Sequence, residues 1–186
     1  MSFRIETERL VLDLLRDGDE HRVICWASDP VATRYMGFPR HESFESSRAF
    51  VLRASEPTIE GPRLDIVVAI RRKSDGLLLG STGIHQESDV TVQTGYILDP
   101  AFWRQGYATE AVRHVIDWIF SQLPKVAEVT APVFADNLAS QGLARKLGML
   151  PVREERKDLP RGDKGVLLIV FAITREQWTI LRSRRA

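Results

Sequence analysis

From Gln105 to Phe120 the apolar residues recur at Ala108, Ala111, Val112, Val115, Ile116 and Ile119. That spacing is one stripe of a helix with about 3.6 residues per turn. Glu110, Arg113, His114 and Asp117 fill its other face. The stretch before it has a different period. Thr91–Leu98 is rich in β-branched and aromatic residues and predicts a strand. Asp99-Pro100 stops it, because proline has no N–H for a ladder and restricts the residue before it.

The same reading along the chain predicts a first strand at Arg9–Leu15, a short helix at His21–Ser28, and a second helix at Phe44–Ala54 capped by Ser43. Ser55–Pro62 reads as a loop. Strands are expected at Leu64–Arg71 and Leu77–His85, with Ser74-Asp75-Gly76 as a hairpin turn between them. After the central helix come a strand at Lys125–Val133 and a helix from Asp136-Asn137 to Leu147, closed by Gly148. Strands at Leu150–Arg156 and Val166–Ile173 flank a polar loop, Asp158–Gly165. A closing helix over Thr174–Leu181 leaves Arg182–Arg185 as a frayed tail. The order, β-α-α-β-β-β-α-β-α-β-β, is that of an α/β (α+β) fold read as one domain.

Composition narrows the class. The chain has 186 residues, 44% of them apolar and 27% charged, which suffices for one core. A net charge of +1 gives no global field for nucleic acid. The single cysteine, Cys25, is expected in the core and suits a reducing compartment. MSFRIETERL lacks the apolar segment of a signal peptide, and the longest apolar run, Val166–Ile173, is too short to span a bilayer. These features predict a cytoplasmic protein without a membrane partner.

The candidate chemistry lies where strand meets helix. Arg104-Gln105-Gly106-Tyr107-Ala108-Thr109 puts a glycine and small residues at a helix entrance. The first N–H groups of a helix lack internal partners and carry about half a positive charge, so a phosphate or pyrophosphate is the natural ligand. Farther on, Asn137, Ser140, Gln141 and Ala144 are spaced to share one face of a helix, with Leu143 and Leu147 on an adjacent stripe for the core. No G-x-G-x-x-G follows the first strand, which argues against a dinucleotide-binding domain.

The succession GYILDP, FWRQGYATEA, a helix, a strand and NLASQGLARKLGM resembles the GNAT superfamily of acyl-CoA-dependent N-acetyltransferases. With IETERLVLDLL and Tyr35-Met36-Gly37, it looks most like the branch of ribosomal-protein N-terminal alanine and serine acetyltransferases. The resemblance covers about residues 5–178 of a single domain, 1–186. It implies a mixed, mostly antiparallel sheet of six to seven strands, flanked by about four helices and splayed at a central cofactor cleft.

Several site assignments follow from the resemblance. Arg104, Gln105, Gly106, Tyr107, Ala108 and Thr109 would cradle the pyrophosphate of acetyl-CoA. The pantetheine arm would pair with Tyr96, Ile97 and Leu98 and reach Asn137, and Ser140 would face the thioester sulfur. Many members carry a tyrosine acid seven residues after the asparagine; here Ala144 stands there, which leaves Ser140 as the catalytic candidate. Tyr35, Met36, Phe38 and His85 are expected on the acceptor side, near the N-terminal helices and the Asp158–Gly165 loop. No metal is implied.

The implied reaction is direct attack of a neutral amine on the thioester, which needs a proton acceptor and a stabilised thiolate. Near pH 7.5 about a third of α-amines but only about a thousandth of lysines are neutral. In a site without a strong base, and no compelling one stands out in the sequence, that favours an α-amine acceptor, such as a protein N-terminus, or a water-relayed proton path. A polyamine, aminoglycoside or amino-acid derivative, or a non-catalytic acyl-CoA-binding role, are the alternatives. His85 and Glu87 would share a face as candidate bases if the Leu77–His85 strand runs that far. Glu110 reads as a helix-dipole partner, with His114 paired to it at i+4. Trp26, Trp118 and Trp178 read as packing residues. The chain is expected as a monomer or a homodimer.

Overall fold

The computed structural model describes residues 3–56, 58–60 and 63–184. The strands are β1 (Arg4–Glu6), β2 (Leu10–Leu14), β3 (Thr58–Glu60), β4 (Arg63–Arg72), β5 (Leu78–Gln86), β6 (Thr91–Leu98), β7 (Glu128–Phe134), β8 (Leu150–Lys157) and β9 (Val166–Thr174). The helices are α1 (Glu20–Ala27), α2 (Phe44–Ser55), α3 (Tyr107–Gln122), α4 (Leu138–Lys146) and α5 (Arg175–Ser183). One mixed sheet runs β1-β2-β4-β5-β6-β7-β9-β8, with β3 hairpinned onto β4.

The expected class is what forms, with two more short strands than the sequence reading and with the five helices it placed along the chain, against the about four that the resemblance implies. β1 and β3 have three residues each, too few to show a period, and exist by pairing with β2 and β4. β3 lies inside the expected Ser55–Pro62 loop; Pro57, Gly61 and Pro62 of that loop lie outside the described residues. At the C-terminus Arg182 and Ser183 belong to α5 rather than to a tail, and Arg185 lies outside the described residues. Thr174 and Gln177 form a reciprocal capping box that fixes where this helix starts.

Every strand pair is antiparallel except β6–β7, which is parallel and holds only over Thr91↔Glu128, Val92↔Val129 and Gln93↔Thr130. Beyond Gln93, β6 stays paired with β5 through Leu98, while β7 stays with β9 through Phe134. The two central strands therefore part in a V. α3 is the crossover between them, as parallel neighbours require.

Two cores sandwich the sheet. On one face Ala111, Val112, Val115, Ile116 and Ile119 of α3 pack on Val68, Ile84, Val92 and Val129. Each fully buried Val or Ile contributes about 1.5–3 kcal/mol. On the other face Val23 and Trp26 of α1 and Val51 of α2 pack on Ala69 and Ile97. Trp26 and Trp178 are buried, in line with their packing role, and Trp118 packs against the larger core beside Phe3. Cys25, expected in the core, is exposed, because it lies on the outer side of α1. None of the described helices is long and apolar enough to cross a membrane.

Candidate functional site

The site grows from the end of β6. After Leu98, Asp99 caps a single 3-10 turn, Pro100–Phe102, and the Trp103 indole N–H donates to the Leu98 carbonyl at 2.9 Å. The chain then turns sharply. Arg104 has φ 60° and Gly106 has φ 84°, both left-handed. Such alternation turns successive N–H groups toward one concavity, an arrangement suited to anions. The turn also delays α3, which starts at Tyr107 rather than near Gln105. No side chain caps it, so its first N–H groups stay open to a ligand.

A strap holds this turn in place. Glu110, on the first turn of α3, accepts from the Thr7 hydroxyl at 2.6 Å, the Arg9 N–H at 2.8 Å and the Arg9 guanidinium at 2.7 Å. Arg9 also donates to the Gln105 carbonyl at 3.0 Å and lies 4.6 Å over the Tyr107 ring. Burial raises the Glu110 carboxyl, but the bonds from Thr7 and Arg9 outweigh it and hold the group below the usual glutamate range. The structural reading of Glu110 stands. His114 does not pair with its carboxylate; it donates to the Glu110 backbone carbonyl at 2.9 Å, as a ring four residues on in a helix easily can.

Across the V, Asn137 caps α4 by accepting from the Ser140 N–H at 3.1 Å. The Ser140 hydroxyl lies 3.0 Å from the Tyr96 hydroxyl. Burial pushes the Tyr96 phenol up, against a smaller opposing effect of Ser140, so it stays protonated through neutral pH. The face of α4 toward the V is Ala139, Ser140, Leu143 and Lys146. Gln141 and Ala144, expected on that face, turn into the body of the protein and are buried. Leu143, expected on a core stripe, lines the cleft. At about 100° per residue, Ser140 lies at the edge between these faces.

These groups enclose a cavity of about 520 Å³ between β6, α3 and α4. Its walls include Tyr96, Ile97, Leu98, Arg104, Gly106, Tyr107, Ala108, Thr109, Asn137 and Ser140. The cation of Lys146, also in the wall, stands out from no apolar or turn pattern in the sequence. Neither does the Tyr96 hydroxyl as partner of Ser140, because that pairing spans 44 positions of chain. Gln105 does not line the cavity; its side chain donates to the Ala101 carbonyl at 3.1 Å.

Of the residues expected on the acceptor side, Tyr35 and Met36 reach the cavity wall, and Tyr35 stacks edge-on against Phe134 of β7 at 5.5 Å. Phe38 is not in that wall. It packs against the second core, with its ring 6.1 Å from His41. Arg161, from the loop between β8 and β9, donates to the carbonyls of Thr33 at 3.2 Å and Arg34 at 2.8 Å, so the two loops meet. His85 also lies away from the cavity, bonded to Asp65. Glu87 accepts a long bond, 3.4 Å, from the Thr130 hydroxyl.

Residues 9–150 match the family model described as an acetyltransferase (GNAT) domain. The chain is 30% identical over 146 residues to the uncharacterized N-acetyltransferase YoaA of Bacillus subtilis (strain 168), covering 77% of this chain and 81% of that protein. A putative ribosomal-protein-serine acetyltransferase from Vibrio cholerae superposes with a TM-score of 0.74 at 18% identity, covering 92% of this chain and 97% of that one. Spermidine N-acetyltransferase from Vibrio cholerae, solved with CoA and spermine, gives 0.74 at 12% identity, covering 93% and 99%.

Proposed function

The chain belongs to the GNAT acetyltransferase family, and from that premise we propose that it moves an acetyl group from acetyl-CoA to a primary amine, with a protein N-terminal α-amine as the favoured acceptor and residues 5–178 as one catalytic unit. The observation that carries this reading is the V between β6 and β7. It opens beside the left-handed turn at Arg104 and Gly106 and ends at the Tyr96–Ser140 pair.

The residues fit the donor. The open N–H groups after Gly106, with Arg104 and Lys146 nearby, suit a pyrophosphate. The Tyr96–Leu98 edge, no longer covered by β7, offers backbone groups to an amide-containing arm. Acetyl-CoA supplies the activated carbonyl. Ser140 gives a proton to the departing sulfur, and the protonated Tyr96 phenol restores it. Asn137 keeps α4 oriented so that Ser140 faces the cleft. Tyr35 and Met36 border the acceptor.

Near neutral pH far more of an α-amine than of a lysine is uncharged, which supports the α-amine. Free-thiol release from acetyl-CoA tests the reading, run with an N-terminal alanine peptide, spermidine and an aminoglycoside. Release with the peptide is expected. Tyr96→Phe and Ser140→Ala should each lower kcat by about ten- to a hundredfold, near the low end for acid–base groups, with CoA affinity kept within about twofold. Tight CoA binding without release from any amine would instead favour a non-catalytic acyl-CoA-binding role.

A further inference from the structure

The register of the central strands aligns four polar side chains in one row. Asp65 of β4 pairs with His85 of β5, His85 with Gln93 of β6, and Gln93 with Thr130 of β7. The pair Gln93↔Thr130 is the last before β6 and β7 part, so the row lies at the apex of the V. Side chains alternate along a strand. Val67, Ala69 and Ile97 belong to the core under α1 and α2, so the row shares that face. Tyr96 and Ser140 lie on the opposite one. The two ends of a transfer reaction would thus be served from two sides of the sheet.

His85 is built into this row in a particular way. Its Nδ1 lies 2.6 Å from Asp65 Oδ1. An ionised carboxylate only accepts, so Nδ1 carries a hydrogen, and in the neutral ring Nε2 then holds the lone pair. The ring folds back over Gly83: a Cβ there would lie 2.2 Å from Nε2. Gly83 pairs with Gly95 of β6. Gly95 is exposed, and nothing stands within 4 Å of the place its Cβ would occupy. The glycine floor is fixed, because Thr82 donates to the Gly95 carbonyl at 2.8 Å and Thr94 to the Gly83 carbonyl at 2.9 Å. Open space over Gly95 therefore lies about one strand spacing, about 4.8 Å, from Nε2. It sits one residue along β6 from Tyr96, at the mouth of the V.

We propose that His85 is the general base that takes the proton of the acceptor amine in the open space over Gly95, and that Asp65 is the positioning residue that fixes the orientation of the ring and its Nδ1–H tautomer. This rests on the acetyltransferase reading. The amine nitrogen bonds to the thioester carbonyl carbon and passes a proton to His85 Nε2. The C–S bond breaks, its electron pair goes to sulfur, and the sulfur takes a proton from Ser140. One amide and one thiol result; Tyr96 returns a proton to Ser140, and solvent then gives a proton to Tyr96 and takes one from His85.

The test uses the full chain, an N-terminal alanine peptide and spermidine as amines, calorimetry for CoA and ring ¹⁵N NMR for His85. His85→Ala should lower kcat by about 10²–10⁴-fold, the range of a positioned base, keep CoA affinity within about twofold, and regain rate with added imidazole. Gly83→Ala, which keeps both residues of the dyad but displaces the ring, should fall in the same direction. Asp65→Asn should lower kcat about tenfold with little change in amine KM and lose the Nδ1–H signature, and Asp65→Glu should recover part of both. Transfer by His85→Ala within threefold of wild type would overturn the proposal, as would an Nε2–H tautomer in the wild type. A His85→Ala chain that loses CoA binding would also overturn it, because His85 would then belong to the donor half. Absence of thiol release by the wild type with both amines is a different result: it removes the acetyltransferase reading and this inference with it.

Discussion

Gly106 shows how much one backbone angle carries. Its φ of 84° is open to glycine and costly for other residues, and an added Cβ would lie 3.2 Å from the Arg9 guanidinium. Arg104 already holds a left-handed φ without being glycine, a conformation that persists only when its surroundings impose it. Gly106→Ala is expected to destabilise the fold by about 1–2 kcal/mol, read as a shift of the urea midpoint. It should also weaken CoA binding about tenfold by calorimetry, the equivalent of one charge-assisted hydrogen bond of about 1.5 kcal/mol. Gly106 was legible in the sequence as a helix entrance. The left-handed Arg104 was not, since no residue type announces it. The Tyr96 hydroxyl was equally hidden: a tyrosine in a strand reads as a packing residue until α4 brings Ser140 to it.

At the scale of elements, one carboxylate gathers the polar contacts between the start of α3 and the N-terminal strands. Glu110 accepts three bonds from Thr7 and Arg9, and its carboxyl lies below the ordinary value of about 4.3. A depressed pKa contributes stability that is present above the unfolded value and lost as pH falls through the folded one. Glu110→Gln should therefore cost about 1–2 kcal/mol at pH 7, and the gap from wild type should close below about pH 4. Urea unfolding of both chains at pH 7, 5 and 3 would check this; a gap that stays constant to pH 3 would refute it. The sequence exposed α3 itself clearly, because Ala111, Val112, Val115, Ile116 and Ile119 keep the helical period and are buried. It did not expose β1 or β3, whose three residues carry no period and gain order only from their neighbours. It also misassigned the faces of α4, because Ser140 stands at the border between cleft and core and spacing alone does not say which side is which.

For the whole molecule, the decisive feature is the V between β6 and β7, which leaves one strand edge free in the middle of a sheet. A ligand that fills it couples the halves on either side, β1 to β6 and β7 to β9. CoA at about a hundred times its dissociation constant should add about 2.7 kcal/mol to the unfolding free energy. For a chain of this size that is a rise of about 5–11 °C in Tm. Hydrogen exchange should slow at Tyr96–Leu98 and at the start of α3 in the same samples. A Tm unchanged by CoA would count against the cleft as the donor site. By itself the sequence determined the order of the long elements and the glycine turn at the entrance of α3, because hydrophobic period, proline and glycine act locally. Tertiary structure alone decided where β6 and β7 part, which face of α4 meets the cleft, and that Asp65 and His85 share one row. Those facts depend on strand register, and register is fixed by partners far away in the chain.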